Sequence, residues 1–571
     1  MISPTNPFDL IIVGAGAAGC VLAGRLSEDP AKRVLLIEAG PDRPPGREHP
    51  DIRDPYPTSY GNARFFWTGL TAEAGPDPGD GGSRVARPFL QALGVGGGSN
   101  VNGMAADRGH PSDYDEWRDR GAIGWGWSDV LPYFKKLEHD QNFRGPLHGQ
   151  SGPIPVQRVS PAEWAPLTGA IGRVFSRRGA ALIEDSNADF RDGVSPVPMN
   201  CLSDRRVSAS MAYLSKPVRQ RPNLTLLTNM TVERILIREA RVYGVNVRMP
   251  VGARELAASE VIVSSGAIHS PALLMRSGIG PAAHLQALGI EVTCDLAGVG
   301  RNLQNHPMVP LAMHLPKHAM QPAHQRAALQ NQVRYSSGFA DCVEHDMLIL
   351  PTNKGGWHAL GRRMGGLGVF VLKAYSRGSV ELRSADPRVP PSVRFNLLDD
   401  RRDFERLVAG LRHALQALAD EEVARVRNEV LRPHAAIGTR LARRSALNTL
   451  QAWMISTALR AGPLRRRVLR KHILDTRAMA SDEKALSEYV RRHAMAVYHV
   501  SGTCRMGSPH DAEAVVDASC RVFGIRGLRV VDASVFPTIP RGQTHFPVLM
   551  TAEKAADLIK AEWRNLRSTA A

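Results

Sequence analysis

Residues 8–19 read FDLIIVGAGAAG, a short apolar run that ends at glycine, as a buried parallel strand does, followed by helical spacing that continues to Ser27. Gly14 serves the tight turn, Gly16 lets the backbone approach a pyrophosphate, and Gly19 lets helix and strand pack closely. Phosphates then sit over the helix N-terminus, where free amides and the helix dipole favour negative charge. A second strand over residues 34–37 delivers Glu38, about twenty residues on, to accept from a ribose hydroxyl. An acid at that place repels a 2′-phosphate and disfavours NADP. Strand, glycines, helix, strand and acid in this order indicate an ADP-binding unit rather than a structural loop.

A chain of 571 residues exceeds what one hydrophobic core usually supports, so two domains are expected, and 43% hydrophobic residues suffice to fill both. Cys20, Cys201, Cys294, Cys342, Cys504 and Cys520 stand apart, with no CxxC pair and no metal-ligand spacing, which fits reduced, buried thiols and no metal. The opening residues lack the basic stretch and apolar core of a leader, and no run of about eighteen apolar residues occurs, so a cytoplasmic protein is expected. Lys and Arg total 72 against 55 acids, a net charge of +17. That balance suits an anionic partner, but no zinc-finger or RNP-type motif accompanies it and aromatic residues are 6%, so no nucleic acid is expected.

Residues 94–109, GVGGGSNVNGMAADRG, form a second glycine-rich stretch whose small residues let backbone lie against a flat ring or a phosphate. Together with DYDEW at 113–117 and GWGWSDVLPYFKKLE at 124–138, it resembles the first signature of the glucose-methanol-choline oxidoreductases, which bind FAD. SSGAIHSPALLMRSGIGP at 264–281 resembles their second signature, and GVGRNLQNHP at 298–307 and GLRVVDASVFPTIP at 527–540 match their patterns. The resemblance therefore runs from about residue 8 to residue 560. Within the family, PLHGQSGPIPVQRV at 146–159 and VRFNLLDDRRDFERLVAGLR at 393–412 resemble the bacterial branch of 5-(hydroxymethyl)furfural oxidases and aryl-alcohol oxidases.

The resemblance implies an α/β architecture: a Rossmann-like FAD-binding domain with an α+β substrate-binding domain built on an antiparallel sheet. The pieces similar to the FAD domain fall at residues 1–155, 222–310 and 490–571, leaving 156–221 and 311–489 for the substrate domain. NLTLLTNMTVERILI and RVYGVNV alternate as strands that extend the flavin domain, and GSVELRS as a strand of the sheet over the pocket. The residues that the resemblance assigns to FAD are Gly14, Gly16, Ala17, Ala18, Gly19, Glu38, Ala39, Trp67, Gly97, Val232 by its backbone at the adenine, Tyr498, Asp532 and Ala533. Asn102, Gly103, Met104 and Ala105 are expected beside the isoalloxazine. Some relatives attach FAD through a histidine of this loop; Val101 stands in that place here, so a non-covalent FAD is expected.

Alcohol oxidation removes a hydroxyl proton and a hydride from the carbinol carbon, and the hydroxyl is too weak an acid to ionise unaided at pH 7. A neutral imidazole is the natural base. By resemblance His499, in YHVSGTC, holds the family's catalytic position, with Tyr498 beside it to position the ring, and His545, in QTHFP, holds the second, where relatives carry asparagine or histidine. Two histidines sharing one hydroxyl are not both protonated, because like charges repel. His269 reads as structural and His306 as a turn or interdomain residue. Gly98, Asn305, Arg541, Gln543 and Phe546 depart from the usual pattern: Gln543 and Phe546 are expected to reshape the pocket, and Arg541 to face solvent. The implied reaction is oxidation of a primary benzylic or furanic alcohol, with oxygen or a quinone as acceptor; hydroxynitrile lysis with non-redox FAD is the alternative of a different class.

In the basic segment at 442–474, Leu447, Leu450, Met454 and Ala458 share one helical face, and Arg465, Arg466, Arg467, Arg470 and Lys471 follow Gly462 and Pro463. It reads as a helix pair with a solvated basic face, with peripheral membrane contact or a partner subunit as alternatives.

Overall fold

The most apolar runs of the chain lie side by side. The computed structural model describes residues 7–75, 86–249, 252–432 and 441–570. In it the strands Leu224–Leu227, Val34–Ile37, Phe8–Val13, Ala253–Val263 and Leu528–Val530 adjoin in that order, all parallel. Phe8–Val13 and Val34–Ile37 are flanked by strands on both edges and are almost wholly buried, which is why they read as continuous apolar runs. Ala253–Val263 serves twice: its second half joins the parallel sheet, and its first half pairs antiparallel with Arg241–Arg248, which pairs in turn with Thr231–Arg238. The helix Ala17–Leu26 packs against the long helix His545–Ala570, a contact tied by Arg25 to Glu553 at 2.8 Å.

A second, nine-stranded sheet runs Ile473–Leu474, Val430–Leu431, Pro307–His314, Met364–Val371, Met347–Thr352, Asn331–Tyr335, Gly193–Pro196, Ala181–Leu182, with Met495–Ala496 also on Pro307–His314. It is antiparallel except for the edge pair Ala181–Leu182 with Gly193–Pro196. Each large sheet has its own set of buried side chains. The segment GSVELRS is a strand but belongs to neither. Ser379–Glu381 pairs with Ser392–Arg394 in a four-stranded sheet with Thr71–Glu73 and Ala86–Pro88, because Arg394 meets Glu73 rather than the nine-stranded sheet. All six cysteines are free. Among the described residues no helix is long and apolar enough to cross a membrane.

Candidate active site

The two glycine-rich loops meet. Gly14, with φ +99°, turns the chain after the first strand, and a Cβ there would lie 2.6 Å from the Ser264 carbonyl oxygen. A Cβ on Gly19 would lie 1.9 Å from the Gly14 oxygen, so helix and strand pack as closely as the sequence demanded. The second loop closes on the first: Gly96 N–H donates to the Ala15 carbonyl at 2.7 Å, and a Cβ on Gly97 would lie 2.8 Å from the Gly16 Cα. No side chain caps the helix Ala17–Leu26, so the amides of Ala17 and Ala18 remain open to an anion, and nothing lies within 4 Å of where a Cβ of Gly98 would project. Such a cradle fits a dinucleotide pyrophosphate.

Glu38 braces both loops. Its carboxylate accepts from the backbone amides of Ala15 at 2.9 Å, Gly40 at 2.8 Å and Gly94 at 3.0 Å, and so ties both glycine loops to the end of the second strand. A carboxylate accepts about four hydrogen bonds, which leaves one place for a ligand hydroxyl. Met230 N–H donates to the Glu38 carbonyl at 3.0 Å, which sets Val232 and Ala39 at the same edge. Asp532 lies at a strand end, accepting from Gly266 N–H, the Ser270 hydroxyl and Ser534 N–H, while Ala533 accepts from Gly502 N–H. Trp67 lies tilted against His269 at 4.9 Å, and His269 Nε2 is buried without a partner. In the loop expected beside the ring, Met104 adopts φ +65° and its N–H donates to Asn102 Oδ1 at 3.2 Å, with Gly103 and Ala105 on either side. The same Oδ1 accepts from the wholly buried Arg206 at 2.6 Å, whose Nη2 has no partner.

The histidines are placed by register. Gln304 and Ser501 form an antiparallel bridge, and two residues further along each strand His306 stands opposite His499. Their Nδ1 atoms are 2.9 Å apart, and His306 Nε2 lies 3.1 Å from the Pro540 carbonyl. A carbonyl only accepts, so His306 carries its proton on Nε2 and presents a bare Nδ1. His499 must then donate from Nδ1, which leaves its Nε2 lone pair free. Asn305 holds the facing loop with both ends of its amide: Oδ1 accepts from His499 N–H at 3.2 Å and Nδ2 donates to the Val497 carbonyl at 2.5 Å. An ionised aspartate in this place would have no donor for the Val497 carbonyl.

Both outer supports are charged. Asp113, held at about pKa 2 against its burial by Arg541 and Lys373, accepts from Arg541 N–H and Nε and from His110 N–H. Lys373 reaches Asp113, Glu116, the Thr538 hydroxyl and the Ile539 carbonyl. Together they fix residues 538–541, and hence the Pro540 carbonyl. Among the described residues no carboxylate is hydrogen-bonded to these histidines. Burial lowers His499 to about 4, burial with Arg206 nearby lowers His545 to about 4, and burial with His499 beside it holds His306 well below its ordinary value. His545 opens the C-terminal helix, its Nε2 buried without a partner, five residues beyond Pro540.

Four expectations are corrected. Arg541 does not face solvent: it is 6% exposed, because its guanidinium is spent on Asp113, Ser112 and the Glu344 carbonyl. Phe546 packs into the core around the parallel sheet rather than lining a pocket. The ring of Tyr498 meets Tyr60 edge-on at 5.4 Å and lies tilted against Phe89 at 5.0 Å, and the positioning of His499 falls instead to His306 and Asn305. His306 is thus no simple turn residue. Its signal was present, a histidine in GVGRNLQNHP, but the register that sets it against His499 spans 193 residues of chain.

Residues 8–308 and 374–552 match the two family profiles of the GMC oxidoreductases. The chain is 40% identical over 563 residues to a 5-(hydroxymethyl)furfural oxidase of Methylovorus sp., covering 97% of this chain and 98% of the relative. It is 32% identical to an oxygen-dependent choline dehydrogenase of Brucella anthropi, covering 96% and 95% of the two chains. Among solved structures, pyridoxine 4-oxidase from Mesorbium loti superposes with a TM-score of 0.80 at 29% identity, covering 97% of this chain and 99% of that one.

Proposed function

The chain belongs to the GMC oxidoreductase family, FAD-dependent enzymes acting on CH–OH donors, and we propose that it oxidises a primary alcohol of the benzylic or furanic class to the aldehyde with His499 as general base. The observation that carries this reading is the hydrogen-bond chain Pro540 carbonyl, His306, His499, which leaves one imidazole lone pair free at Nε2. The substrate class is supported by the 40% identity to a furfural oxidase.

FAD, held by residues 14–19, Glu38 and the 94–105 loop, supplies the hydride acceptor when bound. Nε2 of His499 takes the hydroxyl proton as the carbinol C–H bond breaks, and the carbonyl forms. His306 keeps the ring in the correct tautomer and accepts from the Nδ1–H of the cation that results. His545 donates a hydrogen bond to the substrate oxygen and, being neutral, does not oppose protonation of His499. A positioned base of this kind contributes about 10²- to 10⁴-fold. FAD is non-covalent, since Val101 offers no nucleophile. The parts that hold it are residues 1–155, 222–310 and 490–571, with 156–221 and 311–489 forming the substrate part; the two large cores support that division in the main, while Ala209, Tyr213 and Leu214 pack with the parallel sheet and Leu70, Ala72 and Phe89 with the antiparallel one.

Adding benzylic, furanic, aliphatic and sugar alcohols to the FAD-loaded protein under nitrogen tests the proposal. Bleaching of the flavin by the benzylic and furanic alcohols, faster than by the others, is expected, with recovery in air reporting oxygen as acceptor. A spectrum unchanged across the panel refutes alcohol oxidation and leaves cyanohydrin cleavage to be assayed.

A further inference from the structure

The helix Ala446–Ala458 is folded inside out. It turns Asn448, Ala452 and Ser456 to the protein, while Leu447, Leu450, Trp453, Met454 and Ile455 stand in solvent at 60, 53, 56, 50 and 39% exposure. A surface helix ordinarily buries its apolar stripe. The next helix, Gly462–Leu469, repeats the inversion: Leu464 and Val468 are 44% and 59% exposed, and Arg465 is buried on Glu429 at 2.6 Å. Seven of the fourteen exposed large hydrophobic side chains among the described residues fall within 447–468, so they form a patch rather than the usual scatter.

The inversion is anchored. Ala452 and Leu459 pack with Leu360 and Leu441, the Ser456 hydroxyl reaches the Ala359 carbonyl, Trp357 Nε1 donates to the Ala442 carbonyl at 2.7 Å, and Arg444 pairs with Asp51 and Asp54 at 3.2 and 2.9 Å. The helix therefore cannot roll its large side chains inward without breaking these bonds.

Charge identifies what covers the patch. No Asp or Glu occurs between Glu429 and Asp475. Arg460, Arg466, Arg467, Arg470 and Lys471 are exposed around the apolar side chains. A second copy laid face to face would bring these cations against their equivalents in a chain already at +17. An anionic bilayer takes both features at once: acyl chains and headgroup boundary for the leucines and tryptophan, lipid phosphates for the arginines. We propose that residues 446–471 dock this enzyme peripherally on an anionic lipid surface. The chain just before the patch leads to the edge of the active site, since Gly61 packs on the Ala442 backbone and the Tyr60 ring meets Tyr498 edge-on, next to His499.

The test is flotation of the full-length, FAD-loaded protein with vesicles of phosphatidylcholine containing phosphatidylglycerol, against phosphatidylcholine alone. Binding to the anionic vesicles only, weakened by salt, is expected. Arg466→Gln/Arg467→Gln/Arg470→Gln lowers the affinity of order a hundredfold, and Leu450→Gln/Trp453→Ser by about tenfold or more. These side chains already stand in water, so flavin content and melting temperature stay at wild-type values and report intact folding. Absence of flotation with anionic vesicles overturns the proposal, as does binding indifferent to Leu450→Gln/Trp453→Ser. A dimer in sedimentation velocity that both variants dissolve also overturns it, by assigning the patch to a second copy.

Discussion

The histidines of the candidate site and His148 have opposite protonation, and their surroundings explain why. His306 and His499 meet neutral partners, a carbonyl and each other, and His545 has the Arg206 cation nearby, so burial dominates, helped at His545 by that cation, and holds all three neutral, His499 and His545 at about 4. His148 is buried too, but its ring nitrogens face Glu138 at 3.2 Å, Asp140 at 3.3 Å and Asp185 at 2.8 Å. Against the lowering effect of burial, those carboxylates raise it to about 10. With Arg108 on Glu138 and Arg158 on Asp140 and Asp185, it forms a closed ionic cluster that joins the strands Glu138–Asp140 and Ile154–Val156 to residue 185. The absence of acids makes a base, and their presence makes a brace.

The comparison breaks most sharply at His499. His499→Ala is expected to keep its FAD and lose about 10²- to 10⁴-fold in the rate of flavin reduction by alcohol; near-normal reduction would show that the base lies elsewhere. His306→Leu comes next. It leaves His499 without an acceptor for Nδ1–H, and the rate should fall by roughly ten- to a hundredfold with KM little changed, whereas a rise in KM alone would assign His306 to substrate binding.

His148→Ala acts on the other side of the comparison. Three carboxylates are left with two guanidinium groups, and removing one partner from a buried ionic cluster costs about 3–5 kcal/mol. Urea unfolding should show that loss while turnover per folded molecule is kept; unchanged stability would mean that the cluster braces nothing. The two groups also differ in sign with pH. The folded pKa of His148 lies above the unfolded value, so its stabilisation is present in full below about pH 6.5 and is lost as pH rises through about 10. His499 and His545 have depressed values, so the unfolded chain takes up protons that the folded site refuses, and stability falls between about pH 6.5 and 4. The smallest effect is expected from His545→Asn, a few-fold in rate, because an amide still donates to the substrate oxygen.

Local patterns carried the dinucleotide unit. Gly19 answers to the Gly14 carbonyl five residues back, and Val34–Ile37 pairs with its neighbour in sequence, so short-range spacing sufficed there, although the carbonyl that crowds Gly14 belongs to distant Ser264. The antiparallel second sheet followed from likeness to a family rather than from periodicity. What the sequence hid depends on long-range register. His306 reaches His499 only because Gln304 meets Ser501, and Arg541 is buried only because Asp113 lies beneath it. The segment 446–458 shows the opposite failure. Its apolar face was visible in the helical spacing, but which face turns outward was decided by Trp357, Asp51 and Asp54, far away in the chain.

The central claim is that His499 is a neutral base whose ring is set by His306. Its most direct test is the rate constant of anaerobic flavin reduction by a benzylic alcohol as a function of pH. The rate should hold constant from about pH 8 down to about 5 and fall below that with an apparent pKa near 4. A break near the ordinary histidine value of about 6.5, or a profile unchanged in His306→Leu, would contradict it.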